Sequence, residues 1–300
     1  MNWSVVEQFV EGKSPDHLSE DMVALSPGFA AIIDGATDET GGIIDGRSAG
    51  RLAAETLVEA IGLLPAKANA RLFADTLSEA LTVAVNRAVA ADRATPPDGV
   101  TAPGGVTAPK GSGEGQVERA GSRRWPSASV ICVSFARNEV WRIGDCNFMI
   151  DAVTDVGTKR VDDAAYGFRS SINAALLAAG TPLEEILRCD PGAEAAKPLL
   201  ALQQELTNIT GRWAYGCING RTVPDDFIEV YAIDPAAEQI VLTSDGYPEV
   251  GATLQHSEER LADLLALDPA AVDQLWSMGK ALRPGYRSID DRAYLRLVRT

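Results

Sequence analysis

Histidine is nearly absent from this chain: His17 and His256 are the only two in 300 residues. A multi-histidine metal site is therefore excluded, and any metal must be held by oxygen. Cysteine is scarce as well. Cys132, Cys146, Cys189 and Cys217 are scattered, form no Cys-x-x-Cys pair and give no zinc spacing. Cys132 lies in an apolar run and reads as a core residue. No apolar run approaches the ~18 residues of a membrane span, and no basic-plus-apolar leader opens the chain. These absences read as a cytoplasmic, reduced protein with no membrane partner. Positive charge is also in deficit. Lys and Arg number 27 against 42 Asp and Glu, giving a net charge of −15. That balance argues against a nucleic-acid partner. No Gly-x-Gly-x-x-Gly or Walker loop is present either.

What remains is an ordinary globular composition, 46% hydrophobic and 23% charged. We read residues 1–300 as one domain interrupted by an insertion at about 94–124. That stretch is rich in Gly, Pro, Ser and Thr, and Gly99-Val100-Thr101-Ala102-Pro103 recurs as Gly105-Val106-Thr107-Ala108-Pro109. It lacks the apolar side chains to offset its ordering entropy and is expected to be disordered.

Outside it, apolar runs at 22–25, 29–33, 129–135, 139–143, 148–150, 228–233, 239–243 and 292–298 predict strands. Ser26-Pro27-Gly28 forms a turn between the first two. Helices are expected over 47–64, with Leu52, Leu57 and Ile61 on one face and Pro65 as stop, and over 72–91, 258–267 and 270–282. Residues 166–206 read as broken helix. Strand hairpins separated by helical pairs predict an α+β fold, with antiparallel sheets sandwiched between helices.

Acidic motifs punctuate these strands: Glu20-Asp21, Asp34-Gly35, Gly144-Asp145, Asp245-Gly246 and Asp290-Asp291. Aspartate is a poor strand residue, so acids repeated at strand ends imply a shared purpose. Carboxylates gathered at one sheet edge stay ionised together only with positive charge between them. Hard divalent cations, Mn²⁺ or Mg²⁺, suit an all-oxygen set. A glycine beside an aspartate leaves its carbonyl open to such an ion. Two ions sharing a bridging carboxylate activate water, and a phosphate ester is the matching electrophile.

These motifs, in this order, resemble the metal-dependent protein phosphatases, the protein phosphatase 2C family. Glu20-Asp21 heads a strand as the family's Glu-Asp does. Phe29-Ala30-Ala31-Ile32-Ile33-Asp34-Gly35 is similar to its strand ending in Asp-Gly. Val140-Trp141-Arg142-Ile143-Gly144-Asp145 is similar to its Gly-Asp-Ser hairpin, and Ile240-Val241-Leu242-Thr243-Ser244-Asp245-Gly246 to its Ser-Asp-Gly strand. Asp290-Asp291 stands where the family has Asp-Asn before its last strand.

The resemblance implies a four-layer αββα sandwich and a protein serine/threonine phosphatase with two Mn²⁺ or Mg²⁺ ions. It assigns Asp34 as bridging ligand, the Gly35 carbonyl as a second donor, Asp245 and Asp290 as completing ligands, and Asp21, with Glu20 nearby, to metal-bound water. Asp145 would belong to a third, weaker site, joined by Glu249. Asp34 and Asp245 are the acids on which hydrolysis would depend, and a phosphorylated protein would be the substrate.

The departures are specific. Ala36 replaces the family's histidine, the proposed proton donor to the leaving group. No arginine precedes Glu20, where His17 is the nearest substitute. Cys146 replaces serine. Losing a general acid costs ~10²–10⁴-fold for a poor leaving group. Several readings stay open on the residues alone: Asp291 in place of Asp290 as ligand, Asp145 as a hairpin-turn residue, and Trp213-Ala214-Tyr215 as groove or core. Two functional alternatives stay open as well, a weakly catalytic binding or sensing module and a small-molecule phosphatase.

Overall fold

A computed structural model describes residues 3–37, 43–44, 46–94 and 125–300 of the chain. The expected insertion therefore lies, apart from its first residue, outside the described residues. The elements run β1 (Trp3–Glu11), β2 (Met22–Leu25), β3 (Phe29–Gly35), β4 (Ile43–Ile44), β5 (Arg47–Ser48), α1 (Ala49–Leu63) and α2 (Ala70–Ala94). Then come β6 (Ala128–Ser134), β7 (Glu139–Ile143), β8 (Asn147–Ile150), β9 (Val153–Asp155), α3 (Arg160–Ala178), α4 (Leu183–Cys189) and α5 (Pro191–Leu202). The chain closes with β10 (Glu229–Ala232), β11 (Gln239–Thr243), α6 (Leu254–Leu267) and β12 (Arg292–Arg299).

Two five-stranded sheets carry the architecture, in the orders β1-β12-β11-β8-β9 and β10-β7-β6-β3-β2. Every pairing in them is antiparallel. The period-2 geometry of a strand explains why the inner ones are apolar throughout. In β3, Ala30 and Ile32 face the other sheet, where they meet Ile240, Leu242, Leu295 and Leu297. Phe29, Ala31 and Ile33 face the opposite way, onto Leu57 and Ile61 of α1 and Phe73 and Leu77 of α2. The other sheet repeats the pattern: Val241 and Tyr294 pack outward on Leu261, Leu264 and Leu265 of α6. The layers are thus helix, sheet, sheet, helix, as expected. Phe29, Phe73 and Trp141 lock the first helical layer to its sheet, with ring centroids 5.4–6.1 Å apart.

Two differences from the expected elements have physical causes. The chain opens on β1, whose apolar residues do not alternate in register because a bulge interrupts its pairing between Val5 and Glu7. Residues 270–282, expected as a helix, form a loop with one 3₁₀ turn at Trp276–Met278. There the Asp268 carboxylate accepts the backbone N–H groups of Val272, Asp273 and Leu275 at 2.9–3.0 Å. Arg169, fully buried, donates to the Ala270 carbonyl at 2.8 Å and to that of Ala271. Backbone groups that a helix would pair internally are claimed by side chains from elsewhere.

Candidate metal centre

Register brings the acidic motifs to one end of the sandwich. Asp34 ends β3 opposite Ser129, Val130 pairs with Ile143 just before Gly144-Asp145, and Thr243 pairs with both Asn147 and Tyr294. The Gly144-Asp145-Cys146 turn carries the chain from one sheet to the other. Asp34 has the parity of Ala30 and Ile32, so it belongs to the mouth of the gap between the sheets. One carboxylate oxygen each from Asp34, Asp145 and Asp245 lies within 4.8 Å of the others. With Asp290 they line one end of a cavity of about 220 Å³, whose other wall includes Tyr166, Lys197, Leu200 and Arg283.

Local packing explains the glycine beside Asp34. A Cβ on Gly35 would lie 2.5 Å from the Glu20 carbonyl oxygen and 2.6 Å from that of Gly50. Only glycine lets the end of β3 meet both the Glu20-Asp21 turn and the first turn of α1. Ser48 caps α1, accepting the Arg51 N–H at 3.3 Å, and its hydroxyl donates to Glu20.

The carboxylates divide into two groups by environment. In the first, burial pushes Asp34 and Asp21 well above the usual carboxylate range, and neighbouring carboxylates push the same way. For Asp34 those neighbours are Asp245, Asp21 and Asp145; for Asp21 they are Asp291, Asp245 and Asp290, against a hydrogen bond to Ser244. Asp245 is pushed up to about 8 by burial and by Asp145 and Asp290. Two buried oxygens here, Asp21 Oδ2 and Glu20 Oε2, accept no hydrogen bond. In the second group, lysines outweigh burial. Lys159 Nζ stands 2.6 Å from Asp145 Oδ2 and, with Ser129, holds that carboxyl below its usual range. Lys280 and Lys13, 3.4 and 3.1 Å from the two Asp290 oxygens, hold Asp290 low.

A largely enclosed, all-oxygen cluster with more carboxylates than lysines and with orphaned acceptors is what Mn²⁺ or Mg²⁺ would satisfy. Asp34, Asp245, Asp21 and Glu20 fit such a group. Asp145 and Asp290 lie in the same cluster with lysines on them.

Asp291 has a different task from Asp290. It is 3% exposed and accepts the backbone N–H groups of Lys13 and Glu20 at 2.9 and 2.8 Å and the His17 ring at 3.2 Å. It ties the loop bearing Glu20-Asp21 to β12, while Asp290 faces the cavity. His17 is thereby engaged with Asp291 and does not line the cavity. Glu249 pairs with Arg260 of α6 at 2.7 Å on the exposed surface, away from the cluster. Trp213 is exposed under Arg212, and Tyr215 lies below Lys159 at 5.3 Å. Cys146 packs in the inter-sheet core, where burial pushes its thiol up and leaves it unreactive.

The lysines are what sequence reasoning missed. The chain has only six, and Lys13, Lys159 and Lys280 all contact carboxylates of this centre. Their scarcity in an acidic chain was a visible signal. Their convergence was not, because they come from three distant loops. A second support was equally hidden. Asp190, in the left-handed turn between α4 and α5, binds Arg169, Asn173 and the backbone N–H groups of Ala193 and Ala281. It anchors the loop carrying Lys280 and Arg283 to α3 and α5.

No protein-family model matches the chain, and no curated protein does. Among solved structures it is similar to the Mycobacterium tuberculosis serine/threonine phosphatase PstP/Ppp, at 14% identity over 99% of this chain and 98% of that one, with a TM-score of 0.44. Serine/threonine phosphatase Stp1 from Staphylococcus aureus matches at 12% identity over 98% and 94%, with a TM-score of 0.44. The catalytic domain of PstP in complex with two manganese ions matches at 12% identity over 99% and 97%, also at 0.44. Likeness at this level assigns neither family nor activity to the chain.

Among the described residues no helix is long and apolar enough to cross a membrane.

Proposed function

We propose that this chain is a metal-dependent phosphomonoester hydrolase, one phosphatase-like domain acting on phosphoserine or phosphothreonine in proteins. The observation that carries the reading is the convergence of acids more than 250 residues apart in sequence on one cavity, with Asp34, Asp21 and Asp245 pushed upward by burial and by one another despite the nearby lysines. The motif order resembling protein phosphatase 2C supports the same reading.

Asp34, the Gly35 carbonyl, Asp245 and Asp290 would hold two Mn²⁺ or Mg²⁺ ions, Asp290 exchanging its contact with the partly exposed Lys280 for an ion, and Asp21 and Glu20 would stand by as further oxygen acceptors. The ions would supply the activated water and neutralise phosphate charge. The chain supplies the rest. Lys280, beside Asp290 with 26% of its side chain exposed, and Arg283 both line the cavity, placed to take the anionic oxygens of a phosphate. The α5 wall, with Leu200 and Ala201, gives the cavity an apolar side for the group that carries the phosphate. Ala36 offers no proton, so the leaving oxygen takes one from solvent. Aryl phosphates, which leave without help, should turn over better than alkyl ones.

A panel of phosphoserine and phosphothreonine peptides beside phosphorylated metabolites, each with Mn²⁺, Mg²⁺ or EDTA, tests this. Peptide turnover that needs metal and disappears in Asp34→Ala and Asp245→Ala is the expected result. Unchanged turnover in either variant sinks the site assignment, and metabolites far outperforming peptides would make it a small-molecule phosphatase. A second reading, a binding or sensing module, is favoured by Ala36 and by the lysines on Asp290. Mn²⁺ binding with no turnover across the panel would select it.

A further inference from the structure

The acidic centre contains a cation of its own. Lys159 precedes the first turn of α3, and its loop is pinned to the turn that bears Asp145. The Gly157 N–H donates to Asn147 Oδ1 at 3.0 Å, and a Cβ on Gly157 would lie 2.5 Å from the Asp145 backbone. The Lys159 ammonium therefore has little freedom. It sits 2.6 Å from Asp145 Oδ2, 3.9 Å from Asp162 Oδ2 and 5.3 Å from the centre of the Tyr215 ring. Ser129 Oγ donates to the other Asp145 oxygen at 2.5 Å. Both partners are enclosed, with 15% and 10% of their side chains exposed.

At that depth a fixed ammonium does the electrostatic work of a bound ion, and neither dilution nor a chelator removes it. Asp34 and Asp245, whose oxygens reach within 4.8 Å of Asp145, feel Lys159 at longer range but form no ion pair with it among the described residues. The two sides of one cluster are thus provided for differently.

We propose that the Lys159 ammonium is the resident cation of the Asp145 side. Divalent ions then bind only on the Asp34–Asp245 side, and Asp145 ligates no metal in this chain. The inference rests on the metal-centre reading above and makes a prediction that reading does not.

The test counts bound Mn²⁺ on the full chain by calorimetry and by electron paramagnetic resonance of the free ion. The parent is compared with Asp34→Asn, Asp145→Asn, Lys159→Met and the Asp145→Asn/Lys159→Met pair. Asp145→Asn should bind as many ions as the parent, whereas Asp34→Asn should lose binding. Lys159→Met, which uncovers Asp145, should gain one ion, and the paired substitution should lose that gain. Should Lys159→Met fail to fold, Asp145→Asn and the charge-neutral pair still decide the matter. Loss of an ion in Asp145→Asn makes Asp145 a ligand and overturns the proposal while leaving the metal centre standing. An unchanged count in folded Lys159→Met also overturns it. A parent that binds no Mn²⁺ through Asp34 overturns the metal-centre reading itself, and this inference with it.

Discussion

Asp245→Asn should make the metal-free protein more stable, although it removes an acid on which the proposed activity depends. Without a divalent ion, Asp245 is half-buried beside Asp145 and Asp290, and its carboxyl is pushed from 3.8 to about 8. At pH 7 the folded protein escapes most of the repulsion by binding a proton there. Holding that proton against an unfolded-state value more than three units lower costs up to about 4 kcal/mol at 1.36 kcal/mol per unit. Asparagine has the shape of the protonated acid and carries no such cost. At about 2 °C per kcal/mol for a chain of this size, the variant's melting temperature in EDTA at pH 7 should rise by up to about 8 °C.

The sign also fixes a pH dependence. A carboxyl raised in the folded state leaves the folded protein binding more protons, so this contribution to stability is full below pH 3.8 and lost as pH rises towards 8. The parent in EDTA should therefore lose stability across that window, and Asp245→Asn should flatten the slope. Asp290 and Asp145, held low by lysines, act in a separate window: their contribution is present above pH 3.8 and lost as pH falls below it. With Mn²⁺ at 100 times its dissociation constant the parent should gain about 2.7 kcal/mol and the variant far less. Thermal melts with and without Mn²⁺ at pH 5 to 8 check all of this. A variant destabilised in EDTA at pH 7 would refute the reasoning.

Three further outcomes follow from the same structure. Ala36→His should raise turnover of a phosphothreonine peptide by up to ~10²-fold while changing aryl phosphate turnover much less; equal gains on both would mean the histidine acts otherwise than as a proton donor. Asp190→Ala strips the countercharge from Arg169 and should cost about 3–5 kcal/mol in denaturant unfolding; a loss under 1 kcal/mol would show that water reaches Arg169. Trp141→Ala empties the centre of the Phe29–Phe73–Trp141 cluster and should cost about 3–5 kcal/mol, read as an earlier urea midpoint with unchanged slope.

The sandwich was legible in the sequence because its inner strands are buried on both faces. Continuous runs such as Ala128–Ser134 and Gln239–Thr243 stand out from the turns around them. The acids were legible because acidic motifs recur at the ends of several strands. Asp34 and Asp245 needed only their own strands to be recognised as a pair. Less was visible where one residue's role depends on another far away. Asp290 and Asp291 are adjacent and chemically identical, and only the loop amides of Lys13 and Glu20 separate the buried tie from the cavity-facing acid. His17 and Glu249 look available in sequence, yet Asp291 and Arg260 take them. The alanines after Asp268 favour helix, but Asp268 and Arg169 claim their backbone groups, and no local propensity encodes a partner about a hundred residues away.

The most direct test of the central claim is hydrolysis of p-nitrophenyl phosphate by the parent and by Asp34→Asn, each in Mn²⁺ and in EDTA. Turnover is expected only for the parent with Mn²⁺. Turnover by the parent that persists in EDTA, or by Asp34→Asn at the parent's rate, would contradict it.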